Sequence, residues 1–163
     1  MNALAQCRKT NREYPMASRA HSGRTETEPG PQEAGVNGRP IRTVVVDDSP
    51  FVLKTLSSFL GLRHDFQLVG TATDGRHAVR RVAEMQPDLV LMDLQLPGIN
   101  GLEATRQIKA RSRAPAVIMF TADDTPECRA AASAAGTDGF VGKQHLFRQL
   151  RAALRKVFPG ATL

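Results

Sequence analysis

The sequence predicts an α/β fold of five βα units, a doubly wound parallel sheet with helices on both faces. Three observations lead there. From Ile41 onward, short β-branched or apolar runs recur between turn residues. Between these runs apolar residues return at helical spacing. One run after another also ends on a polar side chain. Right-handed crossovers between parallel strands put all carboxyl ends on one rim, where open sheets of this kind bind ligands.

The elements follow in order. Ile41 to Val46 is almost uninterrupted and β-branched, as suits a strand covered on both faces. Ser49 and Pro50 then supply an N-cap and a first-turn proline for a helix running to about Leu62. Phe66 to Ala72 is the second strand, and Asp74 opens a helix whose Ala78, Val79, Val82 and Ala83 share one face up to Gln86, where Pro87 stops it. Asp88 to Asp93 is the third strand, followed by a Pro97-Gly98 turn and a helix carrying Leu102, Thr105, Ile108 and Lys109. Ala116 to Thr121 is the fourth strand, Pro126 to Ala135 an alanine-rich helix closed by Gly136, Gly139 to Gly142 a short fifth strand, and Leu146 to Val157 the last helix.

A chain of 163 residues has room for one domain with a proper core and not for two of ordinary size. Its 41% apolar and 23% charged residues are ordinary for a soluble protein, and no apolar run approaches the roughly 18 residues of a membrane span. With no signal-like segment at the N-terminus, the expected compartment is the cytoplasm. Cys7 and Cys128 have no metal-ligand spacing and read as unpaired thiols.

The net charge of +6 invites a nucleic-acid partner, but its distribution argues against one. The basic runs at Arg106 to Arg113 and Arg148 to Lys156 read as solvated helix faces. Residues 1–40 are rich in Gly, Pro, Glu, Thr and Arg without apolar periodicity, so they are expected to form a disordered tail, in which Met16 offers a second possible start of translation. A folded domain over 41–158 and a short C-terminal tail over 159–163 complete the expected organisation.

The polar residues at the strand ends carry the chemistry. The first strand ends in Asp47-Asp48, the third in Asp93, the fourth in Thr121, and the fifth in Lys143. Three ionised carboxylates brought together repel one another unless a cation neutralises them or they take up protons. A hard divalent cation such as Mg²⁺ suits a few carboxylate oxygens, waters and a phosphate. A carboxylate can attack phosphorus to give an acyl phosphate while a metal ion and an ammonium offset charge on the equatorial oxygens.

Val46-Asp47-Asp48-Ser49, Leu91-Met92-Asp93 with Pro97 and Gly101 downstream, Thr121-Ala122 and Gly139-Phe140-Val141-Gly142-Lys143 together resemble the CheY-like receiver domain of response regulators, over about Arg42 to Phe158. The resemblance implies a flavodoxin-like sheet in the order 2-1-3-4-5. It implies that Asp93 is the phosphoacceptor and that Asp47, Asp48, Asp93 and the main-chain carbonyl of Gln95 hold Mg²⁺. Lys143 would meet the phosphoryl oxygens, and Thr121 and Phe140 would be the switch hydroxyl and switch aromatic. The implied donor is the phosphohistidine of a histidine kinase or histidine phosphotransfer protein. Output would pass to a downstream protein, or to a second copy through the face of helix four, strand five and helix five, where Arg129, Arg148, Arg151 and Arg155 lie.

Two positions depart from the family pattern. Gln144 follows Lys143 where a cis-proline is common, so a trans bond is expected here. Phe140 lacks the phenolic hydroxyl of the tyrosine often found at its position, so its two rotamers would differ by packing alone. The sequence is therefore expected to encode a stand-alone regulator whose only chemistry is Mg²⁺-dependent self-phosphorylation and self-dephosphorylation. The alternative is a receiver-like binding module independent of phosphorylation. An aspartate-nucleophile phosphohydrolase is disfavoured, because Asp47 and Asp48 are adjacent and not in Asp-x-Asp spacing.

Overall fold

The computed structural model describes residues 38–161. Of the expected tail over 1–40, residues 1–37, with Met1, Met16 and Cys7, lie outside the described residues, as do 162–163, while Arg39 is held by an ion pair to Asp88. Strands β1 (Ile41–Val46), β2 (Phe66–Ala72), β3 (Leu89–Asp93), β4 (Ala116–Thr121) and β5 (Gly139–Gly142) form one parallel sheet in the order β2-β1-β3-β4-β5. They alternate with α1 (Pro50–Gly61), α2 (Gly75–Met85), α3 (Gly101–Lys109), α4 (Pro126–Ala134) and α5 (Leu146–Val157). This is the predicted flavodoxin-like order.

Period-two alternation along each strand divides the core in two. Val44, Val46, Val90, Met92, Val117 and Met119 meet Ala78, Val82, Leu102, Ala104, Ile108 and Ala132 of α2, α3 and α4. On the other face Val45, Leu91, Ile118, Phe120 and Val141 meet Leu56 and Leu60 of α1 and Leu150 and Leu154 of α5. Every residue of the central strand β3 is buried, so the carboxylate that ends it is set into the core's edge and not on a loop in solvent. In the β4–β5 register Met119 lies opposite Phe140 and Thr121 opposite Gly142, which puts Thr121 and Phe140 on the same face of the sheet, the one covered by α4.

Local chemistry explains where the expected boundaries shift. Ser49 is the N-cap residue of α1, but its side chain makes no cap hydrogen bond. Its backbone N–H donates instead to Asp47 Oδ1 at 2.8 Å, so the carboxylate organises the helix start. Asp74 caps α2 as expected, accepting from the His77 N–H at 2.8 Å. Gln86 ends α2 at φ 45° while its N–H still bonds Val82, and Pro87 has no N–H to continue the ladder. Helix α4 stops at Ala134, one residue earlier than expected, and Gly136 turns the chain at φ 90°.

The basic runs are mostly solvated, as the sequence suggests, although Lys109 is recruited into structure by Asp138 at 2.6 Å and the Pro115 carbonyl at 2.9 Å. Cys128, buried on α4, is part of a disulfide, which corrects the expectation that it is an unpaired thiol. No helix among the described residues is long and apolar enough to cross a membrane.

Candidate functional site

The carboxyl ends of β1, β3, β4 and β5 bring five of the singled-out side chains to one rim. Asp47 leaves β1 still paired to β2, its N–H donating to Ala72 at 3.1 Å, and its side chain is wholly buried. Both its oxygens are engaged: Oδ1 accepts from Ser49, and Oδ2 accepts from Lys143 Nζ at 2.7 Å. Asp93 is 3% exposed, and its Oδ1 lies 3.1 Å from the same ammonium. Asp48 faces solvent at the mouth. One carboxylate oxygen from each of Asp47, Asp48 and Asp93 lies within 4.8 Å of the others.

Three carboxylates against one ammonium leave a formal surplus of two negative charges. Burial is the main reason the Asp93 carboxyl is pushed up to about 7, with the neighbouring charge of Asp47 adding to it and Lys143 opposing it. Burial also raises Asp47, against the opposing charge and hydrogen bond of Lys143. Burial by itself would lower Lys143, but the charges of Asp93 and Asp47 outweigh it and hold the ammonium above its ordinary value. The donor set therefore fits a divalent cation: oxygen ligands only, more carboxylates than the one ammonium of Lys143 among them, and an exposed member through which water or phosphate oxygens could complete the shell.

Lys143 reaches the site from a short 3₁₀ turn, Lys143–His145, between β5 and α5. The peptide bond to Gln144 is trans, and both carboxylates are within reach without the family's proline. Thr121 is fully buried, and its Oγ1 accepts from the Asp123 N–H at 3.2 Å, so the hydroxyl is committed to its own loop. Gln95 spans the mouth differently, its side-chain amide donating to Asp123 Oδ2 at 3.1 Å. Phe140 lies away from the carboxylates, half-buried under Arg129.

Close approach explains two glycines. A Cβ at Gly101 would clash with the Asp93 carbonyl oxygen, so only glycine lets α3 start directly against the backbone of the central carboxylate. A Cβ at Gly142 would meet the Asp124 carboxylate at 2.8 Å. Asp124 was not singled out in the sequence; the available signal was a second acid after β4, five residues ahead of Arg129. Beside the site, a groove of about 610 Å³ is lined by Phe51, Val52, Leu146 and Phe147 and borders Lys143.

Residues 43–155 match the family model described as the response regulator receiver domain. Over 81 residues the chain is 43% identical to a protein-glutamate methylesterase/protein-glutamine glutaminase of Nocardioides, covering 50% of this chain and 22% of that protein. Over 121 residues it is 34% identical to the response regulator protein VraR of Staphylococcus saprophyticus, covering 73% of this chain and 57% of that protein. The response regulator domain of Thermotoga maritima CheB superposes with a TM-score of 0.64 at 31% identity, over 73% of this chain and 94% of that one. The chain thus spans from about a fifth to under three-fifths of these two curated relatives.

Proposed function

Because the chain belongs to the response regulator receiver family, we propose that it is a phosphoryl-accepting switch, with Asp93 as the nucleophile. The observation that carries this reading is the trio of Asp47, Asp48 and Asp93, two of them buried and one exposed, with Lys143 paired to both buried members. We assign residues 41–158 to the receiver and 1–40 and 159–163 to tails, with the cytoplasm as the working compartment.

In this reading Asp47, Asp48, Asp93 and the Gln95 carbonyl would hold Mg²⁺, which would supply charge neutralisation at the phosphoryl group. An Asp93 oxygen attacks the phosphorus of a phosphohistidine on a histidine kinase or histidine phosphotransfer protein. The P–N bond breaks, and the imidazole nitrogen departs with the bonding pair. Lys143 already sits 3.1 Å from Asp93 and would follow the phosphoryl oxygens, offsetting their charge. The groove along Phe51 and Phe147 gives a protein donor an apolar surface to hold while its phosphohistidine reaches Asp93.

Once Asp93 carries a dianion, the Thr121 hydroxyl gains a charged partner stronger than the Asp123 amide, and Phe140 follows into the space vacated on the same face. The altered α4, β5 and α5 face then meets a downstream protein or a second copy, with direct nucleic-acid binding not part of the reading. The experiment is intact-mass measurement after incubation with acetyl phosphate and Mg²⁺. A phosphoryl increment in the native chain, absent from Asp93→Asn, is expected. No increment with acetyl phosphate or a purified kinase donor would favour a phosphorylation-independent binding module.

A further inference from the structure

One loop carries both ends of the proposed switch. Residues 122–125 join β4 to α4, and their Asp123 N–H engages the Thr121 hydroxyl at 3.2 Å. The next residue, Asp124, packs flush on Gly142, immediately before Lys143, and takes a side-on ion pair from Arg129 of α4. Arg129 Nε lies 2.6 Å from one Asp124 oxygen, and the other guanidinium nitrogen donates to the second oxygen at 2.6 Å. The same guanidinium lies over the Phe140 ring, 4.8 Å from its centroid. Two parallel hydrogen bonds fix the plane of the guanidinium, which distinguishes this pair from a loose surface contact.

We propose that Arg129 is a positioning residue that holds Phe140 in its resting place through a cation–π contact, and that Asp124 anchors Arg129 to the loop the Thr121 hydroxyl must leave. This rests on the phosphoryl-switch reading and deepens it. Phe140 has no hydroxyl with which to secure one rotamer, and the arginine takes over that task. Moving Thr121 towards Asp93 breaks its hold on the Asp123 amide and frees the loop. The displaced loop carries Asp124 away, the guanidinium loses its fixed plane, and the ring is released. Arg129 thus stabilises the unphosphorylated arrangement only, so by linkage its loss must favour the phosphorylated one.

The chain has no tryptophan, so Phe140→Trp introduces a single fluorescent reporter at the ring itself. Titrating this variant with beryllofluoride in Mg²⁺ should shift its emission. In the Arg129→Met and Asp124→Asn backgrounds, half-saturation should come at roughly two- to fivefold lower beryllofluoride, the range expected for a surface cation–π contact. Arg129→Lys should stay nearer the parent. A merely structural role for Arg129 would lower the melting temperature without tightening beryllofluoride. As a check with the native ring, Arg129→Met with Phe140 intact should gain phosphoryl mass from acetyl phosphate faster than the native chain. If the parent responds but the Arg129 and Asp124 variants bind beryllofluoride equally or more weakly, the positioning role is overturned and the switch reading stands. If the Phe140→Trp parent shows no beryllofluoride response and the native chain gains no phosphoryl mass, the switch reading fails and takes this proposal with it.

Discussion

Strand β3 is flanked by two aspartates, and they live under opposite rules. Asp88, just before the strand, accepts two hydrogen bonds at 2.8 Å from the Arg39 guanidinium and one at 2.9 Å from the Arg42 N–H. Burial by itself would raise it, but the Arg39 hydrogen bond and the Arg42 amide outweigh burial and hold it below the usual carboxylate range. Asp93, at the other end, shares one ammonium with Asp47 and is pushed up to about 7, chiefly by burial. The same residue type is a paired structural clamp at the amino end and a buried carboxyl sharing one ammonium with another carboxylate at the carboxyl end. Charge left unbalanced in a buried, ordered place signals function here, and neither acidity nor burial alone would.

The largest expected difference between the two ends is chemical. Asp93→Asn should abolish the phosphoryl increment, while Asp88→Asn should retain it, as read by intact mass with acetyl phosphate and Mg²⁺. Asp88→Asn losing the increment in a folded protein would erase the contrast.

Stability in metal-free buffer comes next. A carboxyl whose folded-state pKa lies above its unfolded value binds its proton more tightly when folded, so the stability it contributes is present at low pH and is lost as pH rises from about 4 through about 7. Asp93→Asn should therefore stabilise the metal-free protein at pH 8 by on the order of 3 kcal/mol, with little effect near pH 4, measured by urea unfolding at both values. Asp88 has the opposite sign: its contribution is present above its unfolded pKa and lost as pH falls. Asp88→Asn should destabilise modestly at pH 7, because solvent screens its pairing with the exposed Arg39, and the effect should shrink in acid. Matching pH profiles for the two variants would contradict the contrast.

Gly101→Ala tests the frame around Asp93. A methyl group driven into the Asp93 carbonyl oxygen must displace the start of α3, at a cost of roughly 1 to 3 kcal/mol in the same assay. The smallest effect on the site itself belongs to Phe51, which is 66% exposed. Phe51→Ala should leave labelling by acetyl phosphate unchanged and slow transfer from a kinase donor. Equal slowing with both donors would remove the groove from the docking surface.

Much of this was legible in the sequence, because buried parallel strands write themselves as β-branched runs. The limits of β1, β2, β4, β5 and α5 fall where the pattern places them, and the strand-end rule gathers Asp47, Asp93, Thr121 and Lys143 at one rim. What the sequence does not record is compensation between distant residues. Asp88 reads as the first residue of a strand, and only folding brings Arg39, 49 positions earlier, against it. Asp124 against Gly142, and Gly101 against the Asp93 carbonyl, are close approaches between elements with no local signature. Ser49 stands at the N-cap without a side-chain cap bond, and its backbone amide donates to Asp47, two residues away.

The central claim is that the carboxyl end of β3, and not its amino end, is where phosphorus is captured. Borohydride trapping after phosphorylation converts an aspartyl phosphate to homoserine, which peptide mapping then locates. Homoserine at position 93, present only when Mg²⁺ is supplied and absent at position 88, is the predicted result. Homoserine at any other aspartate, or none in a chain that has gained phosphoryl mass, would contradict it.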